Sequence, residues 1–394
     1  MSASEPQSVE VNKGHLGIRN FNERRILTLI RREHALPKAA IAKQTGLSAQ
    51  SATIIMNRLE ASQLVRRQAP QRGRVGQPIV PFELNPQGAY GIGLKVGRRS
   101  FDLTLVDFCG AVQATLNERF AYPTVDALMT FLKRGLPALT IGLSESQRQC
   151  IAGLGVAMPF EMWNWVEEAG APAAELERWQ SFDFSRHIEQ LVGLPVFLCN
   201  DDTAACSAEL TFGNPAHFSH FLYFFVGTFV GGGIVLNDQL FTGYQGNAGA
   251  VGSLPLFSNR NTATGQLINH ASLYLLEQSL PENKRGTMFL DTTSWEDFGE
   301  PLEQWLNTAS EGLAKAIVTC QAVLDVQGVV IDGTVPGPVK TQLINKVSRA
   351  LDSLDWRGLN TLSVVGGNIG AKAQSIGSAN LPLMANYYLE TLNG

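Results

Sequence analysis

The strongest restriction on this chain is a succession of three short helical patterns within its first 62 residues, the last two divided by a glycine. Ile26, Leu27, Leu29 and Ile30 recur at helical spacing between Arg24, Arg25, Arg31 and Arg32, so residues 18–33 read as an amphipathic helix. Pro37 opens a second short helix that Gly46 stops. Ser48 is a good cap for a third, residues 49–62, whose Ala52, Ile55 and Leu59 form an apolar stripe. Three short helices with a glycine turn before the last spell a helix-turn-helix.

After Leu64 and Val65 come Arg66, Arg67 and a turn-rich stretch containing Arg72-Gly73-Arg74-Val75-Gly76-Gln77-Pro78, followed by a strand-like run over 79–84. Turn residues between two extended runs describe a hairpin, here a wing with a cationic tip. The charge distribution agrees. Residues 1–85 hold 13 Lys and Arg against 6 Asp and Glu, and the remainder holds 18 against 29, although the net formal charge is only -4. One end suits a polyanion and the rest repels one. In the third helix Gln50, Ser51, Thr53 and Asn57 lie off the apolar stripe, where such a helix meets base edges in the major groove of double-stranded DNA. For Gln50 and Ser51 the alternative is ordinary helix-surface polarity. Arg72 and Arg74 reach phosphates or a narrow minor groove, or form a solvated turn.

At 394 residues the chain is too long for a single core. Asn85-Pro86-Gln87-Gly88 marks a junction, which gives a disordered arm over 1–17, a winged helix-turn-helix over 18–85 and a body over 86–394. In the body, strands are expected over 90–96 and 100–106 around Gly97-Arg98-Arg99, then a helix over 125–136 and a buried strand over 151–157. A strand over 195–199 runs into Asn200-Asp201-Asp202 and a helix over 203–212; strands over 222–226 and 233–236 flank Thr228 in a glycine-rich turn. A helix over 302–324, a strand over 329–331 and a helix after Pro338 continue the alternation, which indicates an α/β body in two lobes. No stretch approaches the ~20 uninterrupted apolar residues of a membrane helix, and the first twelve residues are polar, so a cytoplasmic protein without a membrane partner is expected. The five cysteines are odd in number and widely spread, which argues against a disulfide framework and a thiolate metal site and for buried free thiols.

With these residues in place, the sequence resembles the ROK family of repressors, open reading frames and sugar kinases over nearly its whole length. The wing residues Gly73 to Pro78 followed by Leu84-Asn85-Pro86 are similar to the junction of that family's repressors. Gly227-Thr228-Phe229-Val230-Gly231-Gly232-Gly233, followed by Gly243 to Gly249, resembles its phosphate loop and the segment after it. Asn200-Asp201 with Ala204, Ala205 and Glu209 resembles the strand end that holds sugar and catalytic base in the kinases. The resemblance implies a two-lobed, actin-like (ribonuclease H-like) sugar-kinase fold for the body.

The departures from that pattern bear on function. Where a kinase of the family has an Asp-x-Gly-Gly-Thr turn for Mg²⁺ and phosphate, this chain has Lys95-Val96-Gly97-Arg98-Arg99. Phosphoryl transfer rests on positioning and charge stabilisation, and a cation cannot replace a Mg²⁺ ligand. The family's Ala-Gly-Glu-x-Gly-His is Ala248-Gly249-Ala250-Val251-Gly252-Ser253, which removes a sugar-binding Glu and a His that binds sugar and zinc. Its cysteine-rich zinc segment becomes Asn261 to Ile268, with every cysteine absent and a sugar-binding Glu replaced by Ile268; His270 alone does not make a zinc site. Phe160 replaces the glycine after Met158-Pro159, and the nearby Trp163 and Trp165 fit either a sugar face or a lobe interface.

The sequence therefore predicts a DNA-binding regulator, most simply a repressor of carbohydrate genes, with no catalytic residues, no metal and no cofactor. Asn200, Asp201, Asp202 and Thr228 are its candidate effector-binding residues, for a carbohydrate or derivative; solvation at a strand end is the alternative for Asp202 and, less so beside Asn200, for Asp201. A homodimer or tetramer on a palindromic operator is expected, because a dimer sets two recognition helices about one DNA turn apart. Two other readings are an active sugar kinase carrying a helix-turn-helix, and a regulator whose body docks a protein instead of a sugar. Lys95, Arg98 and Arg99 oppose the first; the losses at Ala250, Ser253 and Ile268 favour the second, because a hexose site needs several convergent polar groups.

Overall fold

The computed structural model describes residues 21–71, 79–159, 172–257, 263–285, 287–289 and 295–389, and in it the amino-terminal periodicity becomes three helices, α1 (Phe21–Glu33), α2 (Lys38–Thr45) and α3 (Ala49–Ala61). Gly46 ends α2 at φ 66°, a left-handed value that glycine adopts without steric penalty. The Ser48 hydroxyl accepts the Ser51 amide and caps α3. Strands β1 (Leu36–Pro37), β2 (Val65–Arg67) and β3 (Pro81–Leu84) form a small antiparallel sheet with β3 in the middle, Val65 opposite Leu84 and Leu36 opposite Phe82. The run expected over 79–84 is regular only from Pro81, since a proline offers no ladder donor; Ile79 instead pairs with Gln71 in an isolated bridge. The hairpin tip with Arg72 and Arg74, and the arm before α1, lie outside the described residues.

Two five-stranded sheets carry the rest. The first is built from β4 (Tyr90–Val96), β5 (Ser100–Asp107), β6 (Val112–Arg119), β7 (Ile151–Met158) and β8 (Val196–Asn200), in the order β6-β5-β4-β7-β8. β4, β5 and β6 form an antiparallel meander and β7 joins β4 in parallel. Helices α4 (Val125–Leu139), α5 (Ala173–Ser181) and α6 (Phe184–Val192) connect the later strands. β6 was missed in the sequence because it is an edge strand: its burial alternates only weakly, and Gln113, Thr115, Asn117 and Glu118 dilute its apolar residues. The second sheet contains β9 (Phe221–Val226), β10 (Val230–Leu236), β11 (Gln239–Phe241) and, after the hairpin β12 (Pro255–Phe257) and β13 (Ala263–Gln266), β14 (Gly328–Gly333) and β15 (Ser363–Gly366). Its order is β11-β10-β9-β14-β15, again a meander extended by parallel strands. It is accompanied by α7 (Asp201–Phe212), α8 (Leu273–Ser279), α9 (Glu300–Leu324), α10 (Gly337–Asp352) and α11 (Ala373–Tyr387). The chain divides into two compact units, residues 1–199 with 378–394, and residues 200–377.

Within the first unit the helix-turn-helix shares its core with the end of the chain. Ile26, Leu27 and Ile30 of α1 and Phe82 and Leu84 of β3 form one buried cluster with Val106, Phe108, Ala379, Leu383, Met384, Tyr387 and Tyr388. β4 and β7 approach α11 closely: a Cβ on Gly91 would lie 2.0 Å from the Ala379 carbonyl oxygen, and one on Gly155 only 1.8 Å from that of Ser378. Arg24, assigned by its periodicity to the polar side of α1, instead caps α11. Its Nε donates to the Tyr388 carbonyl at 2.7 Å, and its Nη2 donates to the carbonyls of Met384, at 3.2 Å, and Tyr388. A cation at the last carbonyls satisfies groups a helix leaves unpaired and opposes its dipole. The Leu389 amide donates to Thr28 Oγ1 at 2.9 Å and the Tyr388 hydroxyl to the Phe108 carbonyl at 2.9 Å, while the Arg31 guanidinium lies 4.9 Å from the Tyr388 ring centre.

All five cysteines are free, but only Cys206 is fully buried; Cys109 is exposed, in a turn at the end of β5, and the expectation of buried thiols holds for Cys206 alone. Among the described residues no helix is long and apolar enough to cross a membrane. The cap on α11 is testable. Arg24→Ala removes charged hydrogen bonds to two carbonyls and is expected to lower unfolding stability by about 2 kcal/mol, read from urea denaturation, and to speed amide hydrogen exchange over residues 384–389.

Candidate DNA-binding and effector sites

The burial of Ala52, Ile55, Met56 and Leu59 decides which face of α3 is outward. Gln50, Ser51, Thr53 and Asn57 all fall on the exposed side, so the structure brings the four residues together on one surface. Their polar groups are partly engaged. The Ser48 hydroxyl donates to Ser51 Oγ at 2.9 Å and the Thr53 hydroxyl to the Ala49 carbonyl at 2.7 Å. Lys38, the first residue of α2, donates from Nζ to Asn57 Oδ1 at 2.7 Å and lies 5.2 Å from the Phe82 ring centre. Sequence reasoning missed Lys38 because it belongs to another helix; its place directly after Pro37 was the available signal.

The base of the wing is less cationic than its composition suggests. Arg67 donates from Nε and Nη2 to Glu60 at 2.7 and 3.0 Å, Arg66 donates to Glu83 at 2.6 Å, and Arg58 to Glu23 at 3.0 Å. The hydrogen bond from Arg67 holds the Glu60 carboxyl below the usual range, and that from Gln68 does the same for Glu83.

The second unit opens at Asn200, the last residue of β8, whose Oδ1 accepts the amides of Asp202 and Thr203 at 2.9 and 3.2 Å. This cap starts α7 at Asp201, two residues earlier than the sequence suggested, and puts Asp201 and Asp202 in the first turn, where the helix dipole favours carboxylates. Gln374 of α11 donates from Nε2 to both, at 3.2 Å to Asp201 Oδ2 and 3.0 Å to Asp202 Oδ1. No motif pointed to Gln374, which is brought here only by tertiary structure. Asp202 also rests against β10: a Cβ on Gly231 would lie 1.7 Å from its Oδ2.

The glycine-rich run is therefore strand rather than turn from Val230 onward, which corrects the strand start expected at Gly233. Gly231, Gly232 and Gly233 are small because Asp202, the Tyr223 carbonyl and Cys206 occupy the space beside them. The turn is confined to Gly227-Thr228-Phe229, with Thr228 exposed. The carbonyls of Gly227 and Thr228 accept the Leu273 and Tyr274 amides at 3.0 and 3.2 Å, and Ser272 Oγ accepts the Val230 amide at 3.0 Å. Asn200, Asp201 and Asp202 thus form one group with Gln374, and Thr228 is placed separately, three residues before the glycine that Asp202 faces.

Two further carboxylates of this unit are consumed by its architecture. Glu209 accepts the amides of Asn214, Asn368 and Ile369, and burial pushes its carboxyl up. Asp332 accepts from Lys340 Nζ at 2.8 Å and from the Gly370 amide at 2.7 Å. Together they hold the turn that leads into α11.

The positions that depart from a kinase pattern also have concrete surroundings. Gly97 donates its amide to the Ser100 carbonyl at 2.9 Å, closing the turn between β4 and β5 with no carboxylate inside it. The chemistry of this turn does not fit a Mg²⁺–nucleotide group. Ala250 and Ser253 are exposed, Ile268 packs against the apolar core, and His270 Nδ1 lies 3.1 Å from the Gln266 carbonyl. Such a donor set does not fit zinc, and among the described residues no group of three or more His, Cys, Asp or Glu could hold a metal ion. Trp163, Trp165 and Asn261 lie outside the described residues.

Comparison with known proteins follows the same lines. The model of the ROK family matches residues 91–383. The uncharacterized protein y4fQ of Sinorhizobium fredii is 23% identical over 94% of this chain and 92% of its own length. A putative xylose repressor of Caldicellulosiruptor sp. is 26% identical over 66% of this chain and 65% of its own length, so the match spans slightly less than two thirds of that repressor. Among solved structures, a ROK family transcriptional regulator, a homologue of the E. coli MLC protein, superposes with a TM-score of 0.64 at 18% identity, over 93% of this chain and 96% of that one. A ROK family glucokinase from Streptomyces griseus, in complex with glucose and AMPPNP, gives 0.57 at 19% identity, over 74% of this chain and 99% of the kinase. Structural likeness at such identity establishes the fold.

The amide that bridges the two carboxylates gives a direct test. Gln374→Leu leaves Asp201 and Asp202 adjacent without that donor and is expected to destabilise the protein by about 2 kcal/mol. Gln374→Glu, nearly isosteric, adds a third negative charge and is expected to destabilise more. Thermal unfolding at pH 7 ranks the three proteins.

Proposed function

The chain belongs to the ROK family, and from that premise we propose that it is a DNA-binding transcriptional repressor whose sugar-kinase-like body binds a carbohydrate-related effector without transferring phosphate. The observation that carries this reading is α3, capped by Ser48 after a glycine turn and presenting Gln50, Ser51, Thr53 and Asn57 outward beside a winged hairpin. Gln50, Ser51, Thr53, Asn57 and Lys38 are the assigned major-groove residues, and Arg72 and Arg74 of the wing the phosphate or minor-groove residues. Asn200, Asp201, Asp202 and Thr228 are the assigned effector residues, with Gln374 fixing the two carboxylates. The xylose repressor among the relatives supports a sugar as the effector class.

Absence of catalysis is supported by the turn over residues 95–99, where no carboxylate can place a metal and two arginines stand in place of small residues. Asp201 can still accept a hydrogen bond from an effector hydroxyl. Ligand control requires only that the effector prefer one conformation of the body, which then shifts the population competent to bind DNA. A homodimer in the cytoplasm, engaging two half-sites of a palindrome, completes the reading.

The full chain is expected to select a palindromic duplex from a random-sequence library and to protect both half-sites in footprinting. Arg72→Ala with Arg74→Ala is expected to weaken binding uniformly across sequences and to reduce the slope of log affinity against log salt by about 2. Failure to select any palindrome removes the DNA role. ATP turnover with any member of a hexose panel, abolished by Asp201→Asn, establishes a kinase instead. A thermal-shift panel of sugars, sugar phosphates and polyols tests the effector class, and a panel without any shift favours a protein partner for the body.

A further inference from the structure

One side chain of α3 is left unexplained by a purely polar recognition face. Ile54 is 53% exposed, whereas Ile55, Met56 and Leu59 of the same helix are buried. It follows Gln50 by four residues and Ser51 by three and precedes Asn57 by three, so helical spacing sets it in the middle of the face these residues form. A β-branched residue gains nothing from water there and is a poorer helix former than the Lys, Arg, Gln or Glu that suits an exposed position. Around it, Thr53 gives its hydroxyl hydrogen to Ala49, Ser51 accepts from Ser48, and Asn57 accepts from Lys38. With these polar groups partly committed inside the domain, an apolar contact gains weight in what the face can read.

The occupant follows from the surroundings. A protein partner docking through apolar contact needs a contiguous patch of several hundred Å². Here a single aliphatic side chain is ringed by Gln50, Ser51, Thr53 and Asn57 on an end of the chain that carries 13 Lys and Arg against 6 Asp and Glu. That combination suits a polyanion presenting one small apolar group. In the major groove of DNA the group is the 5-methyl of thymine.

We propose that Ile54 is a specificity-determining residue of the recognition helix, packing against a thymine 5-methyl group and so fixing an A·T pair in each half-site. The proposal rests on the DNA-reading role given above, and the experiment separates the two. The full chain selects its duplex from a random-sequence library, and each thymine of the selected half-site is replaced in turn by deoxyuridine, which removes only the methyl. At one or two positions this is expected to weaken wild-type binding about fourfold, the effect of one buried methyl-sized group. In Ile54→Ala the same positions are expected to be silent, with thermal stability unchanged because the side chain lies on the surface. Equal deoxyuridine losses in both proteins overturn this inference while leaving DNA reading intact. A large fall in melting temperature for Ile54→Ala also overturns it, since the side chain would then be acting in the core. Failure to select any duplex removes the DNA-reading role and this inference with it.

Discussion

The approach of α11 to β4 and β7 is the contact on which the first unit depends. At Gly91 and Gly155 the strand backbones lie against the helix backbone with no room for a Cβ, and that proximity brings Leu383, Met384, Tyr387 and Tyr388 under α1 and β3. A helix-turn-helix of this size buries little apolar surface by itself. Here its missing core is supplied by a segment from the far end of the sequence, and Arg24 closes the arrangement by taking up the last carbonyls of that segment. The same helix begins in the second unit, where Glu209 and Asp332 hold its leading turn and Gln374 bridges Asp201 and Asp202.

Legibility in the sequence followed the range of the interactions. α2, α3 and the glycine turn between them were readable because caps, stops and a 3.6-residue stripe are local. β4, β5, β7 and α9 were readable from apolar runs of the right length. β6 escaped because an edge strand has only one face to bury, and the start of α7 was placed late because the capping amide of Asn200 was read as a strand end. The glycines of β10 looked like a turn, since nothing nearby in sequence announces that Asp202, the Tyr223 carbonyl and Cys206 press against them. α11 and its roles were not foreseen: Ala373, Gly377, Ser378 and Ala379 carry no amphipathic signal, and their meaning lies entirely in close packing. The four polar residues of α3 were legible as a set, whereas Lys38 and Gln374 join their sites only through tertiary contacts.

The two five-stranded sheets share one pattern, a three-stranded antiparallel meander whose inner strand pairs in parallel with the next, followed by a fifth strand at the edge. In this architecture the parts set by packing and capping resemble the family pattern, among them the glycine strand and the helix that Asn200 caps. The parts that depend on particular side chains differ: Arg98 and Arg99 stand in a turn that metal and phosphate would need open and acidic, and Ala250, Ser253 and Ile268 cannot offer the carboxylate and imidazole contacts of a hexose site. Packing constrains the first class in any sequence that adopts the fold. Chemistry constrains the second only in those sequences of this fold that carry out a reaction.

The clasp between Arg24 and Tyr388 spans 364 residues of sequence. At translation rates of about 5–20 residues per second, α1 leaves the ribosome roughly twenty seconds to more than a minute before the carbonyls it binds. During that interval Ile26, Leu27, Ile30 and Phe82 have no partner for one side of their cluster. The core around α1 therefore closes only after α11 has been made, and a chain released before α11 leaves that core open. The fold thus ties closure of the core around α1 and β3 to the synthesis of α11.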